Sequence, residues 1–229
     1  MSTKRVVFLA GVRDELPILI GTIPFGLIYG VSALGFHLPA SLVQGMSAII
    51  FAGSSQFIAA QLFGLGVPVV IVIFTAFIVN LRHMLYSASV APYLKSLHPA
   101  WKWGIAYLLT DEVYAVVITH FRANKDEPHR QWYALGAGLA LWGSWQISTA
   151  VGVFLGAQVP ASWSLDFTLA LTFIALVVPA IKDRASVVAA LVAGMLAILL
   201  FGLPYKTGLI AATVGGIAVG LLLEMRGKQ

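Results

Sequence analysis

From Leu16 to Leu81 the chain contains no Asp, Glu, Lys or Arg. A second uncharged run extends from Gln131 to Leu165. A soluble domain draws roughly a quarter of its residues from the charged types, whereas only 10% of these 229 residues are charged and 59% are hydrophobic. So little polar surface cannot coat a globule. A bilayer core takes about 20 apolar residues per helix, so each uncharged run is long enough for more than one span. Membrane-spanning strands would alternate apolar and polar residues, and these runs do not. The sequence therefore predicts an all-α polytopic transmembrane helix bundle, one transmembrane domain over residues 1–229.

Charges, prolines and glycines divide the chain into eight expected spans: 16–36, 41–63, 67–92, 103–121, 132–157, 165–181, 185–202 and 206–223. The boundary at "GLGVP" (64–68) carries no charge and is the weakest. With eight spans and a cytoplasmic N-terminus, Lys4, Arg5, Arg13, Arg122, Lys125, Arg130, Lys182, Arg184, Arg226 and Lys228 fall inside. Only Lys95, Lys102 and Lys206 fall outside, and Arg82 lies within a span. That is the bias of the positive-inside rule. A dip of 41–63 in place of a crossing would give seven spans and erase the bias. Eight spans with both termini cytoplasmic is the preferred topology, in the cell (inner) membrane. The basic balance thus reads as topology rather than nucleic-acid binding. Trp101, Trp103, Trp132 and Trp163 sit at expected interfaces. The apolar part of the N-terminus is too short for a cleaved signal, so the first span is expected to act as an uncleaved anchor. "LGFHLPASL" (34–42) resembles "LGAQVPASW" (155–163), a faint repeat that would pair 16–121 with 132–225 in parallel.

Polar groups at membrane depth usually face a bundle interior or a cavity. Three clusters stand out. In "FAGSSQF", Gly53, Ser54, Ser55 and Gln56 interrupt an apolar run. They serve either close helix packing or a broken helix whose freed N–H groups and hydroxyls hold a carboxylate. In "VNLRHMLYSAS" (79–89), Asn80, His83 and Ser87 share one helical face, and Arg82, Tyr86 and Ser89 share the next. In "YLLTDEVYAV" (107–116), Tyr107, Asp111 and Tyr114 share a face, with Glu112 about 100° around. Two adjacent carboxyls in a membrane cannot both be ionised at ease. One is expected to pair with Arg82, leaving the other for proton coupling or an ammonium group. Asp111 and Glu112 are read as the only acids deep in the bilayer. Ser144, Gln146 and Ser148 dot the fifth span, while Asp166, His98, His120 and His129 look interfacial. Cysteine is absent, which excludes disulfides and thiolate chemistry. No nucleotide-binding, HExxH or GxSxG motif occurs, so neither an ATP-driven pump nor any cofactor is indicated. A hydrolase of Ser54 or Ser55 with His83 would need the hydroxyl within reach of the ring.

"RDELPILIGTIPFGLIYGVSALG", "FAGSSQFIAAQLF", "NLRHMLYSASVAPYL" and "LTDEVYAV" together resemble the AzlC family, the large subunit of two-component branched-chain amino-acid exporters. The likeness runs from Arg13 through Val116. It implies a bacterial inner-membrane permease exporting valine, leucine or isoleucine, with a small AzlD-type membrane subunit as partner. The chemistry of the residues adds the rest: a carboxylate site at 53–56, an ammonium or proton site at Asp111 or Glu112, and proton antiport as the energy source. Other readings are a carrier of another small solute and a membrane subunit that only assembles a complex.

Overall fold

The computed structural model describes residues 3–124, 128–158, 181, 183–202 and 207–227. Among the described residues every regular element is helical. The chain divides into two compact units, Met1–Ala175 and Leu176–Gln229. In the first unit α1 spans Lys4–Gly35, α2 Ala40–Ile49, α3 Gly53–Gly64, α4 Val69–Asn80, α5 Arg82–Val90, α6 Pro99–Leu108, α7 Asp111–Ala123 and α8 Arg130–Gly156. A short 3-10 turn, Ala91–Leu94, follows α5. In the second unit α9 spans Arg184–Leu199 and α10 Thr207–Gly227. The expected sixth span, 165–181, lies outside the described residues apart from position 181.

Among the described residues, three helical stretches are long and apolar enough to cross a membrane: Lys4–Gly35, Val69–Leu94 and Arg130–Gly156. Their outward faces carry large apolar side chains. Val70 is 78% and Phe74 62% exposed, a surface that suits lipid and not water.

α1 begins at Lys4, well before the expected position 16. Thr3 caps it by accepting the Val6 N–H at 3.4 Å, and Pro17 and Pro24 lie inside without ending it. The charged segment before Leu16 marks where hydrophobicity begins; it does not mark where the helix begins. Lys, Arg and Glu are good helix formers, so the helix extends through them.

α1 and α8 pack in parallel along most of their lengths. A Cβ on Gly11 would lie 2.1 Å from the Tyr133 carbonyl oxygen, and one on Gly152 would lie 2.3 Å from that of Leu27. Such contacts are backbone against backbone. In lipid, where the hydrophobic effect between helices vanishes, this close approach is what holds two helices together. α2 crosses the same helix through polar groups: Gln44 donates to Gln146 Oε1 at 2.8 Å, and Ser47 and Thr149 hydroxyls meet at 3.1 Å. Ser144 and Ser148 instead bond back to carbonyls of their own helix. In the second unit α9 and α10 form an antiparallel pair. Asp183 caps α9 by accepting the Ser186 N–H at 2.7 Å, which holds its carboxyl below the usual range.

Candidate functional site

Two of the expected spans are interrupted by extended residues. Between α2 and α3, Ala52 has φ −157° and ψ 96°. Between α6 and α7, Leu109 has ψ 72° and Thr110 ψ 179°. The third interruption is milder. At Leu81 the run from α4 into α5 tightens, with Leu81 N–H bonded to Ile78 and Met84 N–H to Leu81. The stretch 41–63 is therefore a broken helix, one of the two forms its polar residues admit. The first-turn N–H groups of α3 and α7 have no intrahelical acceptor, and the dipole of each helix adds partial positive charge there.

Arg82, the first residue of α5, ties the breaks together. Its guanidinium donates to Asp111 Oδ2 at 2.6 Å and to Ser54 Oγ at 2.5 Å. Ser54 belongs to the first turn of α3 and Asp111 opens α7. The acid stands at a helix N-terminus, where the dipole favours its charge. His83 Nε2 lies 3.7 Å from Asp111 Oδ1. The side chains of Arg82 and Asp111 are 33% and 41% exposed. Around it, Asn80 Oδ1, Arg82 Nε and Thr110 Oγ1 are buried without hydrogen-bond partners among the described residues. Clustered polar atoms of this kind leave bonds for a ligand to make.

The remaining expected site residues separate into two groups. Tyr114 stays beside the junction, donating to Ser89 Oγ at 3.0 Å and stacking on Tyr86 at 4.6 Å. Glu112 is not the partner of Arg82; Asp111 is. Ser55 donates back to the Ala52 carbonyl at 2.9 Å. Gln56 is fully buried and accepts from Trp145 Nε1 at 3.1 Å. Gly53 leaves room for aromatic rings: a Cβ there would meet Phe25 at 2.6 Å and Trp145 at 3.0 Å. Tyr107 does not share a face with Asp111 and Tyr114, because the extended residues 109–110 rotate the two halves apart. Its hydroxyl donates to the Ala48 carbonyl and accepts from Trp142 Nε1 at 2.8 Å. Asn80 ends α4 while His83 and Ser87 belong to α5, and Leu81 between them keeps right-handed helical angles, φ −55° and ψ −26°. Neither Ser54 nor Ser55 bonds to His83; their hydroxyls go to Arg82 and Ala52. The hydrolase arrangement is not formed.

Outside the junction, His98 caps α6 by accepting the Ala100 N–H. His120 stacks on Tyr133 at 3.6 Å, and His129 adopts a left-handed conformation just before α8. Trp101 and Trp132 meet edge to face at 5.1 Å. Trp163 and Asp166 lie outside the described residues.

Three participants escaped the sequence reading. Thr110 is the buried hydroxyl at the α6–α7 break. Trp145 supports α3 from behind; its signal was a tryptophan in mid-span instead of at an interface. Glu15 is the third. It is 0% exposed, so Asp111 and Glu112 are not the only acids in the helix interior. In the sequence it directly precedes the uncharged run that opens at Leu16.

No solved structure matches the chain. It is 30% identical to the inner membrane protein YgaZ of Escherichia coli (strain K12), over 95% of this chain and 89% of that one. It is 34% identical to an uncharacterized membrane protein of Archaeoglobus fulgidus, over 93% and 94% of the two chains. It is 29% identical to the branched-chain amino acid transport protein AzlC of Bacillus subtilis (strain 168), over 69% and 62%. The family model described as AzlC protein matches residues 17–159. The chain whose broken helices meet at Arg82 belongs to the AzlC family.

Proposed function

We propose that this protein is an inner-membrane permease that exports branched-chain amino acids by proton antiport, working with a small AzlD-type membrane subunit. The observation that carries the reading is the Ser54–Arg82–Asp111 junction at the starts of three helices. A zwitterion needs an anion-binding end and an ammonium-binding end a short distance apart. The first turn of α3 and Arg82 supply the first; Asp111 supplies the second. In the structure Arg82 itself satisfies both Ser54 and Asp111. An incoming amino acid would exchange with it, its ammonium taking Asp111 while its carboxylate draws the guanidinium and the Gly53–Ser55 N–H groups. Asn80, His83 and Tyr114 border the same space. Gln56 and Tyr107 act from behind, as positioning residues for α3 and for the α2–α6 contact. The relative named as a branched-chain amino acid transport protein supports the substrate class.

The test is efflux of labelled valine from loaded vesicles, with and without the small subunit and with an imposed pH gradient. Partner-dependent efflux that Asp111→Asn removes is the expected result. Absence of valine, leucine and isoleucine efflux from a folded complex, with efflux of another small solute, would replace the substrate assignment.

A further inference from the structure

Glu15 lies inside α1, wholly shielded from solvent, and neither carboxyl oxygen meets a hydrogen-bond partner among the described residues. Its neighbour Arg13 does not serve it, since that guanidinium turns outward to Asp14 at 3.5 Å. Among the described residues, the helices packed most closely against α1 are α2, α3, α7 and α8. α2 and α3 contain no titratable residue. On α8 the titratable residues are Arg130 and Tyr133. Arg130 reaches the Tyr93 carbonyl, and Tyr133 donates to Asp14 Oδ2 at 2.9 Å. On α7, Asp111 faces Arg82, Tyr114 faces Ser89, His120 stacks on Tyr133 and Arg122 is exposed. The other titratable residue of α7 is Glu112, in its first turn and likewise an acid. Among the described residues Glu15 makes no salt bridge, so an ionised carboxylate would be buried unpaired, whereas the neutral acid avoids that penalty.

Two further features give this group a use. A cavity of about 440 Å³ opens beside it, lined by Asp14, Thr119, His120, Asn124 and Tyr133 among others. Its wall includes Asp14, the residue next to Glu15 in the chain. The first turn of α7, a helix packed against α1, also carries both Asp111, which holds Arg82, and Glu112. A shift of that turn when an ammonium replaces Arg82 at Asp111 changes the field at Glu15 in the same motion.

We propose that Glu15 is the proton-binding carboxyl of the transport cycle, linked to the substrate site through the Asp111–Glu112 turn. It holds its proton in the conformation described here. It gives the proton up when the substrate-driven rearrangement brings water to it, and the same carboxylate takes a proton from the opposite side on the return. This rests on the transport reading above, but assigns the proton to a residue outside the Arg82 junction.

The experiment compares wild type and Glu15→Gln, each with its small subunit in vesicles, in two modes. One is valine counterflow, an exchange with no net proton movement; the other is efflux driven by a pH gradient. Glutamine mimics the neutral acid in size and polarity. The expected result is counterflow close to wild type, with gradient-driven efflux reduced roughly tenfold or more. A gradient response equal to wild type would overturn the proposal, and so would loss of counterflow together with driven efflux. Infrared spectroscopy supplies a second reading that needs no substrate: at neutral pH, Glu15→Gln should remove one protonated-carboxyl C=O band. If wild type moves no branched-chain amino acid yet that band disappears, the transport reading fails while the protonated state of Glu15 stands. If the band is unchanged, Glu15 is not the proton carrier.

Discussion

The α1–α8 pair and the interrupted run from α2 to α7 solve opposite problems with the same solvent outside. α1 and α8 are long, continuous and joined by glycines at backbone contact. Their backbone groups are satisfied within each helix, except for the carbonyls one turn before Pro17 and Pro24 of α1, which meet no amide hydrogen. The α2–α7 run is cut at residues 51–52 and 109–110 and tightened at Leu81, so polar groups that a membrane would penalise are freed where Arg82 can meet them. In lipid, irregular backbone is tolerated only where protein or a cavity covers it. The continuous pair covers the broken run that carries the Arg82 junction.

The largest expected effect breaks the functional half alone. Asp111→Asn should lower valine efflux by about two orders of magnitude, since an unpaired Arg82 remains and the ammonium partner is gone. Arg82→Lys should not rescue function, because one ammonium cannot span Ser54 and Asp111 as a planar guanidinium does. Glu112→Gln should reduce driven efflux without matching Asp111→Asn. Equal and mild effects of both acid substitutions would remove the distinction between the two carboxyls.

Next in size is a change confined to the scaffold. Gly11→Ala and Gly152→Ala each force a methyl group into a backbone oxygen. Overpacking of this kind costs about 1–3 kcal/mol or more, read as a lower midpoint of thermal unfolding in detergent. Gly21→Ala is the control: a Cβ there meets nothing within 4 Å, and alanine should be neutral or stabilising by up to about 1 kcal/mol. If Gly11→Ala left stability untouched, the close contact of α1 and α8 would not be what holds the scaffold.

Ser54→Ala should raise the apparent KM for valine by roughly tenfold with little change in stability, through one lost hydrogen bond to a charged group. Ser55→Ala, whose hydroxyl only bonds back to Ala52, should stay within about twofold of wild type. The smallest effect belongs to Tyr114→Phe. Losing the bond to Ser89 while keeping the ring on Tyr86 should cost about 0.5–1.5 kcal/mol at most, detectable as a modest shift in thermal midpoint. An effect as large as that of Ser54→Ala would move Tyr114 from the border into the site.

Much of this was legible in residues. Arg82 was expected to find one of two acids, and "GSSQ" was expected to mark either tight packing or a broken helix. Gly53 and Gln56 turn out to answer to packing, against Phe25 and Trp145, while Ser54 answers to the junction. That division was hidden because spacing assigns faces only while a helix stays regular. Tyr107 shows the failure most plainly. Its four-residue spacing from Asp111 implied a shared face, and two extended residues between them cancel it. Glu15 was hidden for another reason: a carboxyl next to Arg13 and Asp14 looks like solvated flank until α1 is seen to run back to Lys4.

What the sequence determined by itself is the solvent. Long uncharged runs compel helices in lipid, because an unpaired backbone group there costs several kcal/mol, and that requirement depends on composition and not on packing. Only the tertiary structure decided which polar residues are partners. Each helix break changes direction and rotation by amounts that local propensity does not encode. The contact of Arg82 with Ser54 and Asp111, and the burial of Glu15 against α7, follow from how the interrupted helices rest on the α1–α8 pair.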